Sequence, residues 1–151
     1  MAHASSATLQ GALKIAKQPF IVSHTSLDGW KNPSSRMASR TIPKQDAKAV
    51  ADAGGVIGVW TKGTNSPKEY IADIKMIVDT IGSDHAGIGT DDDILSSRTG
   101  AGLNRAWQEM TSGFFPTIVE EFLRQGFTTE EIAKVSGGNF SRVFGAVTGQ
   151  A

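Results

Sequence analysis

The chain has 151 residues, enough for one domain with a sizeable core, and its 39% apolar and 20% charged content is that of an ordinary globular protein. Fifteen Lys and Arg balance fifteen Asp and Glu, so no basic excess points to nucleic acid or an anionic membrane. Cysteine is absent, which excludes disulfides, thiolate metal sites and cysteine nucleophiles; a metal would have to be held by His, Asp, Glu and water. No run of about 18 apolar residues is long enough to span a membrane. Met1-Ala-His-Ala-Ser-Ser6 has neither the basic region nor the apolar core of a signal peptide, and the expectation is a cytoplasmic chain.

In chain order, His3 already stands where a strand gives way to a loop, as if the chain began inside an element. Ser5 or Ser6 can cap a helix. Leu9, Ala12, Leu13 and Ala16 form its apolar stripe, Lys14 and Lys17 suit the dipole near its end, and Pro19 closes it. Phe20-Ile-Val-Ser23 reads as a buried strand ending at His24. Residues 25–42, with Leu27, Trp30 and Met37 among polar residues, read as a long loop of the kind that carries function. Pro43 fits the first turn of a second helix, with Ala47, Val50 and Ala51 facing inward and Gly54-Gly55 ending it. Val56-Ile-Gly-Val-Trp60 is the next strand.

Ser66-Pro67-Lys68-Glu69 is a capping box with proline at the first helical position. It opens a helix striped by Tyr70, Ile71, Ile74, Ile77 and Val78 and stopped by Gly82. Asp84-His85-Ala-Gly-Ile-Gly-Thr90 is a glycine-rich strand running into Asp91-Asp92-Asp93. Residues 94–113 read as a second polar loop, with one turn near Leu103 to Trp107. Three helices follow. The first covers Pro116 to Arg124, with Gly126 as its stop. Thr128-Thr-Glu-Glu131 caps the second, which packs Ile132 and Val135 and ends at Gly137-Gly138. Asn139 caps the third, with Phe140, Val143 and Phe144 inward, and the last residues fray.

Helices alternating with short, non-alternating apolar strands predict a parallel sheet covered by helices, in one domain. In such folds sites form at the C-terminal ends of strands. Those ends carry His3, His24, the Thr61-Lys62 turn and Asp91. The 21 residues between the histidines are about one strand-to-strand step. Two histidines and a carboxylate suit zinc with a position left for water, and such a metal activates water for hydrolysis.

Plainer readings stand beside this one. A strand-end histidine is commonly a hydrogen-bonded structural residue, which is the expectation for His85 at the opposite end of its strand. Asp91-Asp92-Asp93 is by default a solvated turn or cap, or a hard-cation site for Mg²⁺. Arg36 and Arg40 are surface residues by default, though one could clamp a carboxylate bidentately. Gly87 and Gly89 lack the third glycine of a dinucleotide fingerprint. Trp30, Trp60 and Trp107 read as packing residues, with Trp30 or Trp60 able to wall a pocket.

Six stretches occur in the order and at the intervals of a known family. They are His3-Ala-Ser-Ser, Pro19-Phe-Ile-Val-Ser-His24-Thr-Ser, Arg40-Thr-Ile-Pro, Gly54-Gly-Val-Ile-Gly-Val-Trp60, Asp84-His-Ala-Gly-Ile-Gly-Thr-Asp91 and Gly137-Gly-Asn139-Phe-Ser-Arg-Val-Phe144. Together they resemble the membrane (renal) dipeptidases, bacterial members above all, over nearly the whole chain. The resemblance implies a zinc-dependent dipeptidase, built as a binuclear (β/α)8 barrel that hydrolyses dipeptides, including some with a C-terminal D-residue. It implies His3 and His24 as the histidines of one zinc, Arg40 as the anchor of the substrate carboxylate with Arg36 a weaker candidate, and Asp91 as the strand-end acid that handles protons.

Where the family reads Asp, apolar, Asp, Gly, this chain reads Asp91-Asp92-Asp93-Ile94. The family's His-x-Asp pair, metal-bridging glutamate and further substrate-side histidine have no counterpart here. The expectation is therefore the C-terminal half of a (β/α)8 TIM-type barrel in residues 1–151, with additional C-terminal helices. It would have at most a partial metal site, weak metal affinity and little activity alone, and it would pair as a homodimer or with an N-terminal half. Two alternatives stay open: a non-catalytic half-barrel serving assembly, and a different metal hydrolase with Asp91 as a direct ligand.

Overall fold

Short β-branched runs between glycine and proline punctuation pair, in the computed structural model, into a parallel sheet; the structure describes residues 1–29, 40–91 and 107–149. The strands are β1 (Ile21–Leu27), β2 (Thr41–Ile42), β3 (Val56–Val59) and β4 (Ala86–Ile88). Their order is β2-β1-β3-β4, every pairing is parallel, and helices connect β2 to β3 and β3 to β4, which is the α/β layout expected of part of a (β/α)8 barrel. Met1 runs beside β1 on the side away from β3: its amino group donates to Ile21 O, and its carbonyl accepts from Ser23 N at 2.9 Å. His3 thus follows a strand-like stub, as its position in the sequence implied.

Two readings of the 20–42 stretch need correction. Strand β1 does not end at His24; it continues through Thr25–Leu27, and Thr41–Ile42 pairs with it as Ser26↔Thr41 and Leu27↔Ile42. Thr25 holds this extension through its side chain, Oγ1 donating to Arg40 O at 2.6 Å, and Ser26 through its backbone pairing with β2. His24 sits inside the strand, where the register with β3 slips between Val22 and Thr25. One extra residue on β1 is accommodated there as a bulge.

The helices are α1 (Ser6–Ile15), α2 (Lys44–Asp52), α3 (Pro67–Ile81), α4 (Phe114–Arg124), α5 (Thr129–Ala133) and α6 (Asn139–Thr148). Ser5 caps α1 through Thr8 N, and the helix stops at Ile15, before Pro19 is reached. Pro43 is the residue before α2 rather than its first helical residue. Ser66 accepts from Glu69 N, but the Glu69 carboxylate reaches Asn65 N at 2.7 Å, so that box closes one residue early. Thr128 and Glu131 form the full reciprocal box of α5.

Helix α3 supplies the centre of the core, with Tyr70, Ile71, Ile74 and Ile77 all buried against Ile57, Val59 and Ala86. Each such side chain contributes roughly 1.5–3 kcal/mol of transfer free energy. After α4 and α5 the chain passes through a π-type turn, Lys134–Gly138, where Gly137 takes φ 157°. Asn139 does not cap α6. Its side-chain amide donates to Ser83 O (2.6 Å) and Ala86 O (2.8 Å), tying the last helix to the start of β4. Of the expected inward trio on α6 only Val143 is buried; Phe140 and Phe144 are exposed. Among the described residues no helix is long and apolar enough to cross a membrane.

Candidate active site

Three non-glycine residues among those described have left-handed backbone: His3 (φ 56°), His24 (φ 43°) and Asp91 (φ 59°). An L-residue pays about 1–2 kcal/mol for this conformation, and such strain gathers where a side chain must be aimed. All three lie at the same end of the sheet. His3 follows the Met1 stub, His24 occupies the bulge of β1, and Asp91 comes three residues after β4.

Glycines let these ends converge. Strand β3 separates β1 from β4, yet a Cβ built on Gly89 would lie 2.8 Å from the Gly58 carbonyl and 2.9 Å from His24 N. The sheet curls over Gly58 so closely that side chains have no room, and the curl carries the chain beyond β4 toward His24. The sequence held this signal as glycines inside a strand pattern; what they approach was not legible from it.

The side chains meet. His24 Nε2 lies 3.2 Å from His3 Nε2 and 3.9 Å from Asp91 Oδ1. Arg40 Nη1 lies 3.1 Å from His3 Nε2. A guanidinium is always a donor, so His3 Nε2 accepts and the His3 proton sits on Nδ1. Partial burial lowers the pKa of His24; Asp91 opposes this, while His3, Arg40 and the N-terminal ammonium reinforce it. Neutral imidazole, the form that binds metal, is thereby favoured. Trp60 forms a wall, its ring 6.0 Å from that of His24 and 5.3 Å from both Arg40 Cζ and Lys62 Nζ. The cleft runs inward past Ser6 and Thr25 to Asp46. Asp46 is 1% exposed; one carboxylate oxygen accepts from Gln10 Nε2 at 2.7 Å and the other has no partner. Sequence reading did not single out Asp46, which looked like an ordinary acid in a first helical turn.

Nitrogens bound at about 2.0–2.1 Å to one tetrahedral ion stand about 3.3 Å apart, close to the 3.2 Å between the two Nε2 atoms. The pair therefore fits a shared metal as two ligands. It is not a closed site: among the described residues no group of three or more His, Asp or Glu is placed to hold a metal ion. His85 lies at the other end of the sheet, with Nδ1 2.8 Å from Gly55 O. Arg36, Asp92, Asp93 and Trp30 lie outside the described residues.

Parallel α/β barrels build their sites toward the C-terminal ends of their strands, and on that side of this sheet His3, His24, Arg40 and Asp91 come together. The chain belongs to the membrane dipeptidase family, peptidase family M19, whose signature matches residues 1–151. It is 32% identical over 152 residues to the dipeptidase ataJ of Aspergillus terreus, covering 95% of this chain and 34% of that one. An amidohydrolase of Pseudomonas aeruginosa superposes with TM-score 0.74 at 26% identity, covering 94% of this chain and 50% of that one. The probable dipeptidase PvdM of the same organism superposes with TM-score 0.75 at 18% identity, covering 97% and 49%. The chain thus spans about a third of the curated relative and half of each solved neighbour. The family is one of metallopeptidases.

Proposed function

We propose that residues 1–151 carry one side of a zinc-dependent dipeptidase centre, with His3 and His24 holding a metal, Arg40 anchoring the substrate carboxylate and Asp91 handling protons. The observation that carries this reading is the convergence of the three left-handed residues, His3, His24 and Asp91, at one end of the sheet. Left-handed backbone at three separate points, with the His3 and Asp91 side chains both brought to His24, is the kind of strain that gathers at functional sites.

A zinc ion held there would supply an activated water and polarise the scissile carbonyl. The chain's own residues do the rest. Arg40 turns from His3 to take the terminal carboxylate of the dipeptide through its guanidinium fork and so fixes the peptide bond over the histidines. Asp91 Oδ1 receives a proton on the water side and returns it to the leaving amine nitrogen. Trp60 keeps water from the flank of the cleft. Two histidines hold zinc weakly, and this sequence has no His-x-Asp pair. Micromolar or poorer affinity and little turnover are therefore expected of the isolated chain, which would act with a second polypeptide segment bearing the other ligands or with a second copy.

Calorimetric zinc titration tests the reading. The wild-type heat should disappear in His3→Ala and in His24→Ala and survive in Asp91→Asn. Loss of binding in Asp91→Asn would instead make Asp91 a direct ligand of a different metal hydrolase. No histidine-dependent heat at all would favour a non-catalytic assembly module.

A further inference from the structure

Beside the site, one tryptophan ring carries two cations, more positive charge than one terminal carboxylate needs. Arg40 and Lys62 each lie 5.3 Å from the centre of the same Trp60 ring. Neither makes an ion pair with an acid among the described residues, whereas Lys75, Arg124 and Lys134 all do. Lys62 is exposed, but the turn that presents it is fixed. Thr61 and Thr64 on either side are buried, Thr64 Oγ1 donates to Thr61 O at 2.6 Å, and Gly63 takes φ 99° to close the turn. The turn therefore holds the Lys62 backbone in place, and its flexible side chain brings the ammonium to the same Trp60 ring that the Arg40 guanidinium packs on. A guanidinium fork matches one carboxylate in two-point geometry; an ammonium is a point charge that takes a second, less directed one.

We propose that Lys62 is a second carboxylate-binding group, and that it selects ligands carrying a second acid close to the one held by Arg40. Given the dipeptidase reading, on which this substrate class rests, those ligands are dipeptides whose C-terminal residue has an acidic side chain. Asp91 stands near His24 and would repel an acid placed on the N-terminal residue, so the preference is positional.

Equilibrium binding followed by NMR shifts of the Trp60 indole N–H tests this at low ionic strength, with Ala-Glu, its neutral isostere Ala-Gln, the reversed Glu-Ala and the peptide-free diacid glutarate. Ala-Glu should bind about fivefold tighter than Ala-Gln, the scale of one exposed ion pair. The difference should be absent in Lys62→Met, be kept in Lys62→Arg, and fade in about 1 M salt. Glu-Ala should gain nothing. Equal affinities for Ala-Glu and Ala-Gln, or a preference that survives Lys62→Met, would overturn the proposal while leaving the dipeptidase reading standing. Lys62-dependent binding of glutarate without binding of any dipeptide would support the paired-carboxylate site and sink the dipeptide reading.

Discussion

Strands β1 and β3 lie side by side and do opposite work. Every residue of β3 is buried, its register with β4 is unbroken, and the α3 isoleucines pack over it. Strand β1 slips register at His24 and turns left-handed there. Regular β3 gives the sheet its frame; irregular β1 spends some of that stability to aim one imidazole. Stability and chemistry should therefore separate under mutation. In the frame, Ile74→Ala should cost about 2–5 kcal/mol, read by urea unfolding, because it leaves a cavity under β3; zinc affinity of the folded fraction should not change. Gly89→Ala should cost about 1–3 kcal/mol by overpacking, and unlike Ile74→Ala it should also weaken zinc binding, because the new Cβ pushes on His24 N. A Gly89→Ala variant with native zinc affinity would show that the curl does not position the site.

Smaller effects sharpen the contrast. Thr128→Ala, far from the cleft, removes one side of the α5 capping box and should cost about 1 kcal/mol with zinc binding untouched. Arg40→Met should raise zinc affinity a few-fold by calorimetry, since Arg40 now donates to the His3 lone pair that a metal would use. The smallest effect is on pH dependence. His24 has a lowered pKa in the folded state, so below the ordinary histidine range, about 6.5, the unfolded chain binds the extra proton first. Its stability contribution is whole above that range and is lost as pH falls through it. Melting temperature should drop on acidification across this window, and His24→Gln should flatten the drop.

How much of this was legible in the sequence follows from which forces act locally. Proline, glycine and capping residues act on their own helix or turn, so the alternation of helices and parallel strands could be read directly. His3, His24 and Asp91 could be chosen because a change from apolar to polar residues marks strand ends, although His24 lies inside β1, whereas Arg40 read as a loop residue and was singled out only through the family resemblance. The extension of β1 could not: Thr25 and Ser26 look like loop residues and become strand because β2 pairs with Ser26 and the Arg40 carbonyl accepts from the Thr25 hydroxyl. Asn139 has the chemistry of a cap, but its backbone is already helical and its side-chain NH2 donates to two distant carbonyls. Phe140 and Phe144 gave a helical stripe, but the face that packs is set by Val143. The meeting of Gly89 with Gly58 and His24 depends on sheet curvature, which no local pattern encodes.

The most direct test is a long-range ¹H–¹⁵N spectrum of the three imidazoles during zinc addition to the purified chain. The account predicts that the Nε2 signals of His3 and His24 shift together, with one saturation curve at one equivalent, while His85 stays fixed as an internal control. Shifts at neither histidine, at one alone, or equally at His85 would contradict it.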